Sequence, residues 1–156
     1  MPIPEFVADL RRKVGTDLLW LSGVSAVVLH EDRVLLTQRP GGRWTVPSGI
    51  LEPGEQPAPA VVRELREETG VEVEVLSLVD VVAQDPISYP NGDRARYLDL
   101  TFRCAWRSGE AHVADDENDD VRWFALDDLP PLDDRNRERL TRALERDPAG
   151  QPWVAR

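Results

Sequence analysis

The strongest constraint on this chain is a helix with two defined ends near the middle of the sequence. Pro57 and Pro59 are tolerated only in or before a first helical turn, and Gly70 supplies a C-terminal stop. The run 60–69 between them contains no helix breaker. We therefore predict a helix here, entered through a turn at Pro53-Gly54.

Three glutamates share one face of this predicted helix. Glu64, Glu67 and Glu68 stand at i, i+3 and i+4, so their carboxylates lie together. The apolar side chains fall on the opposite side and can enter a core: Val61, Val62 and Leu65. Like charges at this spacing repel by about 0.2–0.5 kcal/mol per exposed pair. The cluster is therefore either a solvated acidic surface or a site for a divalent cation with oxygen ligands.

The residues around the cluster favour the cation. Residues 49–71 read GILEPGEQPAPAVVRELREETGV. This segment resembles the Nudix box, the signature of hydrolases that cleave a nucleoside diphosphate linked to another group. Every fixed glycine, glutamate and arginine of that signature is present, at Gly49, Glu55, Arg63, Glu64, Glu67, Glu68 and Gly70. A chance match of this kind is expected about once in 10⁵ to 10⁶ chains of similar length.

The resemblance implies a metal site that binds Mg²⁺ or Mn²⁺. The positions that align with family ligands are the backbone carbonyl of Gly49 and the carboxylates of Glu64, Glu67 and Glu68. Glu64 is alternatively the residue that acts on the nucleophilic water. Arg63 is expected to orient the carboxylates, and Glu55 to brace the loop against the helix. The chain departs from the family at Ser48, where a second glycine is common.

Nudix enzymes often recruit a further acidic residue from a distant loop, as a metal ligand or a general base. The acidic loop 114–120 offers such residues, namely Asp115, Asp116, Glu117, Asp119 and Asp120. We predict Glu117, which with Arg63, Glu64 and Glu67 completes the predicted catalytic set. The alternative for this loop is a solvated run of charge.

The substrate is less constrained by the sequence. Arg39 and Arg43 precede the box and are predicted to meet phosphates, while Trp44 and Tyr89 are predicted to stack on a base. For each aromatic residue, packing in the core or in a loop is the alternative. In the family, a proline such as Pro86 is typical of ADP-ribose hydrolases, and a tyrosine near Tyr89 is typical of dinucleoside polyphosphate hydrolases. Both signals are present, so the substrate class stays open.

The resemblance implies an enzyme, a pyrophosphohydrolase acting on a nucleotide sugar such as ADP-ribose or on a nucleoside triphosphate. One alternative is a Nudix domain that binds a nucleotide without catalysis, as a sensor. Such domains typically have lost some carboxylates of the box, whereas this chain retains them. Another is an isomerase of the isopentenyl diphosphate type. That chemistry needs a cysteine near the start of the fold, and Cys104 is badly placed for it.

The 156 residues suit a single domain. Besides the box helix, the sequence predicts a short helix over 4–14, a hairpin over 25–38, strands over 71–83, 94–106 and 121–126, a loop over 85–93, and a helix over 134–146. Strands on both sides of a helix predict an α/β fold. The resemblance implies the α/β/α sandwich of the family, with a mixed sheet. We expect one Nudix domain over 1–156, with a helical extension at 1–17 and a loose tail at 147–156.

Charge and cysteine content limit the partners and the compartment. The formal net charge of −10 argues against a nonspecific nucleic-acid binder, which needs a basic surface. We predict a small nucleotide as the partner, with no nucleic acid and no membrane. Cys104 is the only cysteine, and a chain without a disulfide or a signal-peptide core is expected in the cytoplasm. Relatives in the family are commonly homodimers, and a homodimer is an open prediction here.

Overall fold

The computed structural model describes residues 3–145 together with the backbone of Trp153–Val154. The helices in this part of the chain are α1 (Glu5–Val14), α2 (Pro57–Thr69) and α3 (Asp134–Glu145). The strands are β1 (Leu18–His30), β2 (Arg33–Arg39), β3 (Arg43–Thr45), β4 (Ser48–Ile50), β5 (Glu72–Ala83), β6 (Ile87–Ser88), β7 (Arg94–Ser108), β8 (Asp120–Ala125) and β9 (Trp153–Val154). None of these helices has the length and apolar character that crossing a bilayer would require.

One mixed sheet organises the described residues. Its main path runs β3-β2-β1-β7-β5-β9, with β4 beside β1, β6 beside β7 and β8 beside β2. The long strands β1 and β7 pair in parallel along most of their length, and β9 is parallel to β5. The remaining pairs are antiparallel. The predicted mixed sheet is therefore confirmed.

Helices cover both faces of this sheet. Val61 and Leu65 of α2 lie in one buried apolar cluster with Val24, Phe102 and Cys104 of the central strands. On the other face, the apolar side of α3 packs in a second cluster with neighbouring side chains from the sheet. A third, smaller cluster joins α1 to the beginnings of β1 and β7. The α/β/α sandwich is confirmed, and Cys104 is buried on β7.

The structure changes three details of the predicted elements. β1 begins at Leu18, earlier than the predicted hairpin, because its first half pairs with β7 rather than with β2. The predicted loop 85–93 contains the two-residue strand β6, which pairs with the start of β7. In the predicted loose tail, the backbone of Trp153–Val154 pairs with β5, and the rest of that segment lies outside the described residues.

A network of buried charges holds α3 on the sheet. Asp80 on β5 is fully buried and accepts hydrogen bonds from Arg135 at 3.0 and 3.1 Å and from Arg142 at 2.8 Å. Asp99 on β7 accepts from Arg135 at 3.0 Å and from Arg139 at 2.8 Å. Because these arginines all lie on α3, the network fixes the position of that helix on the sheet.

The network also determines the charge state of Asp80. Burial alone would raise the pKa of this carboxyl, but the hydrogen bonds from Arg135 and Arg142 hold its pKa below the usual value. A carboxyl whose pKa is lowered in the folded protein contributes stability above its unfolded pKa and loses that contribution as the pH falls through its folded pKa. Asp80 is thus a stabilising anion at neutral pH.

We expect Asp80→Asn to lower the free energy of unfolding by about 3 kcal/mol, because it removes the buried anion that accepts hydrogen bonds from the half-buried guanidinium groups of Arg135 and Arg142. Urea denaturation at pH 7 measures this difference, which should shrink in acid as Asp80 of the parent protein becomes protonated. Glu138→Gln is the matched control, since this carboxylate also faces Arg142 but its side chain is 54% exposed. Its cost should stay below about 0.5 kcal/mol, and similar losses in both variants would contradict the structural role of Asp80.

Candidate active site

The site begins with a close approach between Gly49 and α2. β4 pairs with β1, with Gly49 opposite Val24, and this pairing carries the Gly49 backbone onto the helix. A Cβ atom built on Gly49 would lie 2.0 Å from Cδ and 2.3 Å from Oε1 of Glu64. Any side chain at this position would overlap the carboxylate, so glycine is required for contact rather than for an unusual φ angle.

Arg63 organises the exposed side of the glutamate cluster. Its Nε and Nη2 atoms donate to the two oxygens of Glu55 at 2.8 and 2.9 Å, a bidentate contact that lowers the pKa of Glu55. Its Nη1 lies 3.1 Å from Oε2 of Glu67 and 3.0 Å from Oε1 of Glu64, the latter as an ion pair without hydrogen-bond geometry. Glu55 therefore anchors Arg63, and Arg63 faces two of the carboxylates predicted to bind metal.

Glu68 forms the buried centre of the site. Its side chain is fully buried, and Oε1 lies 3.4 Å from Nη2 of Arg39. Arg39 also donates from Nη1 to Oε2 of Glu117 at 2.8 Å and from Nη2 to the carbonyl of Ser48 at 3.3 Å. Carboxylate oxygens of Glu68, Asp115 and Glu117 lie within 4.8 Å of one another. The predicted loop residue Glu117 is thus beside the box helix, across from Glu68.

Backbone hydrogen bonds bring the acidic loop to this position. The amides of His112 and Ala114 donate to the carbonyls of Thr69 and Glu68 at 3.1 and 3.2 Å. These carbonyls belong to the last turn of α2 and have no partner inside the helix. At the other end of the loop, the amide of Asp119 donates to the carbonyl of Gln38 on β2 at 2.8 Å. The loop is therefore fastened to the two elements that carry Glu68 and Arg39.

Glu64 and Glu68 combine burial with incomplete hydrogen bonding. Burial raises the pKa of Glu64 to about 7, against the opposing charge of Arg63. It raises the pKa of Glu68 to about 8, against that of Arg39. Among the residues that the structure describes, both oxygens of Glu64 and Oε2 of Glu68 are buried without a hydrogen-bond partner. Such groups are costly unless something compensates them, and a divalent cation with oxygen ligands fits this donor set.

The other predicted site residues lie in different surroundings. Arg43 is exposed on β3 opposite Arg39. Trp44 packs edge-on against Phe124, with ring centroids 4.7 Å apart, and borders the core under α3. The hydroxyl of Tyr89 lies 3.0 Å from the hydroxyl of Tyr97, near the end of the sheet that α1 covers. The substrate-binding roles of Arg43, Trp44 and Tyr89 stay predictions.

The structure adds Asp115 to the residues singled out from the sequence. Asp115 was one of several acidic candidates, and nothing in a run of five acidic residues distinguishes it. In the folded chain its Oδ1 accepts a hydrogen bond from the amide of Glu117 at 3.1 Å, which turns the loop so that both carboxylates approach Glu68. Asp116, between them, is exposed.

Comparison with known proteins identifies the family. A family model described as NUDIX domain matches residues 20–144, which include the box, the acidic loop and most of α3. The chain belongs to the Nudix family. A solved MutT NUDIX hydrolase from Burkholderia pseudomallei is 33% identical, with a TM-score of 0.66 over 80% of this chain and 98% of that one. An ADP-ribose pyrophosphatase from Streptococcus suis is 25% identical, with a TM-score of 0.65 over 86% of this chain and 98% of that one.

Curated Nudix relatives share the domain but are longer proteins. The NAD-capped RNA hydrolase NudC of Pseudomonas aeruginosa strain LESB58 is 38% identical over 109 residues, 68% of this chain and 36% of that protein. NudC of Vibrio vulnificus is 30% identical over 112 residues, 70% of this chain and 40% of that protein. The chain spans well under half of each. Because these relatives act by name on capped RNA, the predicted absence of a nucleic-acid partner stays a prediction for this Nudix domain.

Replacement of Gly49 by alanine should disturb the site of this Nudix domain more than an equivalent change nearby. The new Cβ would displace the Glu64 carboxylate, and we expect a loss of about 1–3 kcal/mol in unfolding free energy together with weaker Mn²⁺ binding. Gly23→Ala is the control, because a Cβ there meets its nearest neighbours at 3.5 Å or more. Urea denaturation and Mn²⁺ titration of both variants test this, and equal effects would show that the contact with Glu64 is unimportant.

The raised pKa values of Glu64 and Glu68 predict that the metal-free protein is less stable in alkali. Both groups ordinarily titrate near 4.5, whereas burial moves the folded values to about 7 and about 8. Between pH 4.5 and pH 8 the folded state therefore retains protons that the unfolded state releases, and stability falls as the pH rises. Melting temperatures in EDTA should decrease from pH 5.5 to pH 8.5.

Two comparisons isolate the contribution of these glutamates. The variant with both Glu64→Gln and Glu68→Gln should show a flatter pH dependence than the parent protein. Added Mg²⁺ or Mn²⁺ should raise the melting temperature of the parent protein most at the alkaline end, where the carboxylates are ionised. A parent protein whose metal-free stability rises from pH 5.5 to pH 8.5 would contradict the assignment.

Proposed function

We propose that this chain is a Mg²⁺- or Mn²⁺-dependent hydrolase that cleaves the pyrophosphate linkage of a nucleoside diphosphate derivative. The observation that carries the proposal is the pair of buried, incompletely hydrogen-bonded carboxylates, of which Glu64 lies against the backbone of Gly49 and Glu68 lies beside Arg39. A structural role would favour full pairing with arginine, as Asp80 has on the other face of the sheet. A cation supplies the missing charge.

The reaction adds water to a phosphorus atom, breaks the bridging P–O bond, and releases two phosphate-bearing products and a proton. A bound divalent cation neutralises charge on the phosphate oxygens and lowers the pKa of a coordinated water. We assign its binding to Gly49, Glu64, Glu67 and Glu68. Arg63, anchored by Glu55, keeps Glu64 and Glu67 in position.

The proton acceptor is Glu117 or Glu64. Glu117 is half-buried in the loop and hydrogen-bonded to Arg39, so it can be presented to a water above Glu68. Glu64 is the alternative acceptor, because it is buried in the same carboxylate cluster, between the backbone of Gly49 and the guanidinium of Arg63. Comparison of the pH profiles of Glu117→Gln and Glu64→Gln distinguishes the two, because the ascending limb is lost only with the true base.

The substrate we propose is a nucleotide sugar such as ADP-ribose, with a nucleoside triphosphate as the second class. The similarity to an ADP-ribose pyrophosphatase and to NAD-capped RNA hydrolases supports the first, since these names describe adenosine diphosphate joined to a second group. The deciding experiment is a panel of ADP-ribose, NAD, a capped RNA oligonucleotide, dinucleoside polyphosphates and nucleoside triphosphates. Each is assayed with Mg²⁺ and with Mn²⁺, and the products are identified.

One outcome of the panel would count against hydrolysis, and another would count against the metal. Tight nucleotide binding without a metal-dependent product would indicate a non-catalytic sensor domain. Hydrolysis that persists undiminished in EDTA would contradict the metal assignment.

Glu68→Gln is expected to reduce turnover of the best panel substrate by about 10²–10⁴-fold while leaving the fold intact. The amide removes a charge that binds the cation, and loss of one electrostatic contact to a transition state costs this order of rate. Circular dichroism and melting temperature report the fold, and kcat reports the chemistry. The control is Glu72→Gln, an exposed carboxylate paired with Arg66 at the end of α2. A Glu68→Gln variant with unchanged kcat would overturn the role of Glu68.

A further inference from the structure

The cation position beside Glu68 already holds a positive group from the chain itself. The guanidinium of Arg39 lies between Glu68 and Glu117, 3.4 Å from the first and 2.8 Å from the second. Asp115 completes the set of carboxylates, since its oxygen lies within 4.8 Å of oxygens from both. A position that binds a guanidinium through carboxylates offers the same hard oxygen ligands to a divalent cation.

Arg39 neutralises this position only in part. In the part of the chain that the structure describes, Oε2 of the fully buried Glu68 has no hydrogen-bond partner, and Arg39 reaches only Oε1 of this carboxylate. Of the three contacts that Arg39 makes, only that with Glu117 is short, while those with Glu68 and the carbonyl of Ser48 measure 3.4 and 3.3 Å. Arg39 therefore leaves Oε2 of Glu68 available as a ligand atom for a cation.

The side chain of Arg39 is also placed so that its guanidinium can move away from Glu68 and Glu117. It is the last residue of β2, its side chain is 23% exposed, and the loop that follows contains Gly41 and Gly42 with positive φ angles. A long side chain at the end of a strand can change rotamer without breaking the hydrogen bonds of the sheet. The guanidinium can therefore turn toward solvent while the backbone of β2 remains in place.

We propose that Arg39 is the resident counter-ion of a cation position formed by Glu68, Asp115 and Glu117, and that a divalent cation displaces it. The displaced guanidinium is then free to bind a phosphate of the substrate, for which its planar, bidentate geometry is suited. In this arrangement cation binding prepares the arginine for substrate. Substrate that binds the free arginine in turn strengthens cation binding, since such coupling is reciprocal.

Mn²⁺ titration of the intact chain, followed by the electron paramagnetic resonance signal of free Mn²⁺ at one fixed pH and without nucleotide, tests the exchange. Arg39→Met and Arg39→Lys should both bind Mn²⁺ about three- to tenfold more tightly than the parent protein. The methionine variant lacks the guanidinium that competes with Mn²⁺, and the lysine variant keeps the charge but cannot span both carboxylates. Asp115→Asn should bind Mn²⁺ more weakly by a similar factor, because a ligand is lost.

Matched variants separate displacement from a general change of charge. Arg122→Met removes a positive charge from an exposed side chain on β8, and Asp116→Asn removes a negative charge next to Asp115. Both should stay within about twofold of the parent protein, because exposed charges interact weakly across solvent. Arg39→Lys is the decisive case, since it keeps the charge. If its Mn²⁺ affinity equals that of the parent protein, or if Asp115→Asn binds Mn²⁺ as well as Asp116→Asn does, the proposal is wrong.

A second measurement is made on the parent protein, so it does not depend on whether a variant remains folded when metal is added. The side-chain Nε–H resonance of Arg39, assigned by its absence in Arg39→Met, should shift when Mg²⁺ is added to the parent protein. A resonance that stays at its metal-free position at saturating Mg²⁺ would overturn the exchange.

The inference rests on the divalent cation of the proposed function but not on hydrolysis. A chain that shows this binding pattern and hydrolyses no compound of the panel would retain the exchange and lose the proposed activity.

Discussion

The rest of the site depends on the burial of two carboxylates that have too few hydrogen bonds. Glu64 is covered by the backbone of Gly49, and Glu68 by the acidic loop and Arg39. Removing these groups from water raises their pKa values and makes their ionised forms costly in the absence of a cation. Among the described residues, the chain accepts this cost where α2, β4 and the acidic loop meet, which is where we propose that a divalent cation binds.

On the opposite face of the same sheet, Asp80 and the arginines of α3 form an ion-pair network with a structural role. Asp80 is as deeply buried as Glu68, yet three short hydrogen bonds from arginines lower its pKa. Glu68 receives one long contact from Arg39, and its pKa rises. The two carboxylates differ in the number of donors that surround them, not in burial. An incomplete donor set is what leaves Glu68 able to bind an external cation.

Several features could be predicted from the sequence because they depend on neighbours along the chain. The limits of α2 follow from Pro57 and Gly70, and the common face of its glutamates follows from helical spacing. The short strand β4 could not be predicted, because it depends on residues that are distant along the chain. β4 is a strand only because Ser48–Ile50 pairs with β1, and three residues that include a glycine carry no strand pattern of their own.

By itself, the sequence determined that this chain carries the Nudix box and an α/β fold, because both follow from local spacing and from the order of apolar segments. The sandwich arrangement was implied by the resemblance to the family. Tertiary structure alone decided that Arg39, Glu68, Asp115 and Glu117 share one position. These residues come from β2, α2 and the loop before β8, and only the hydrogen bonds that fasten this loop to α2 and β2 bring them together. Local patterns set which side chains share a face, whereas burial and the number of donors around a carboxylate depend on chain segments that meet only after folding.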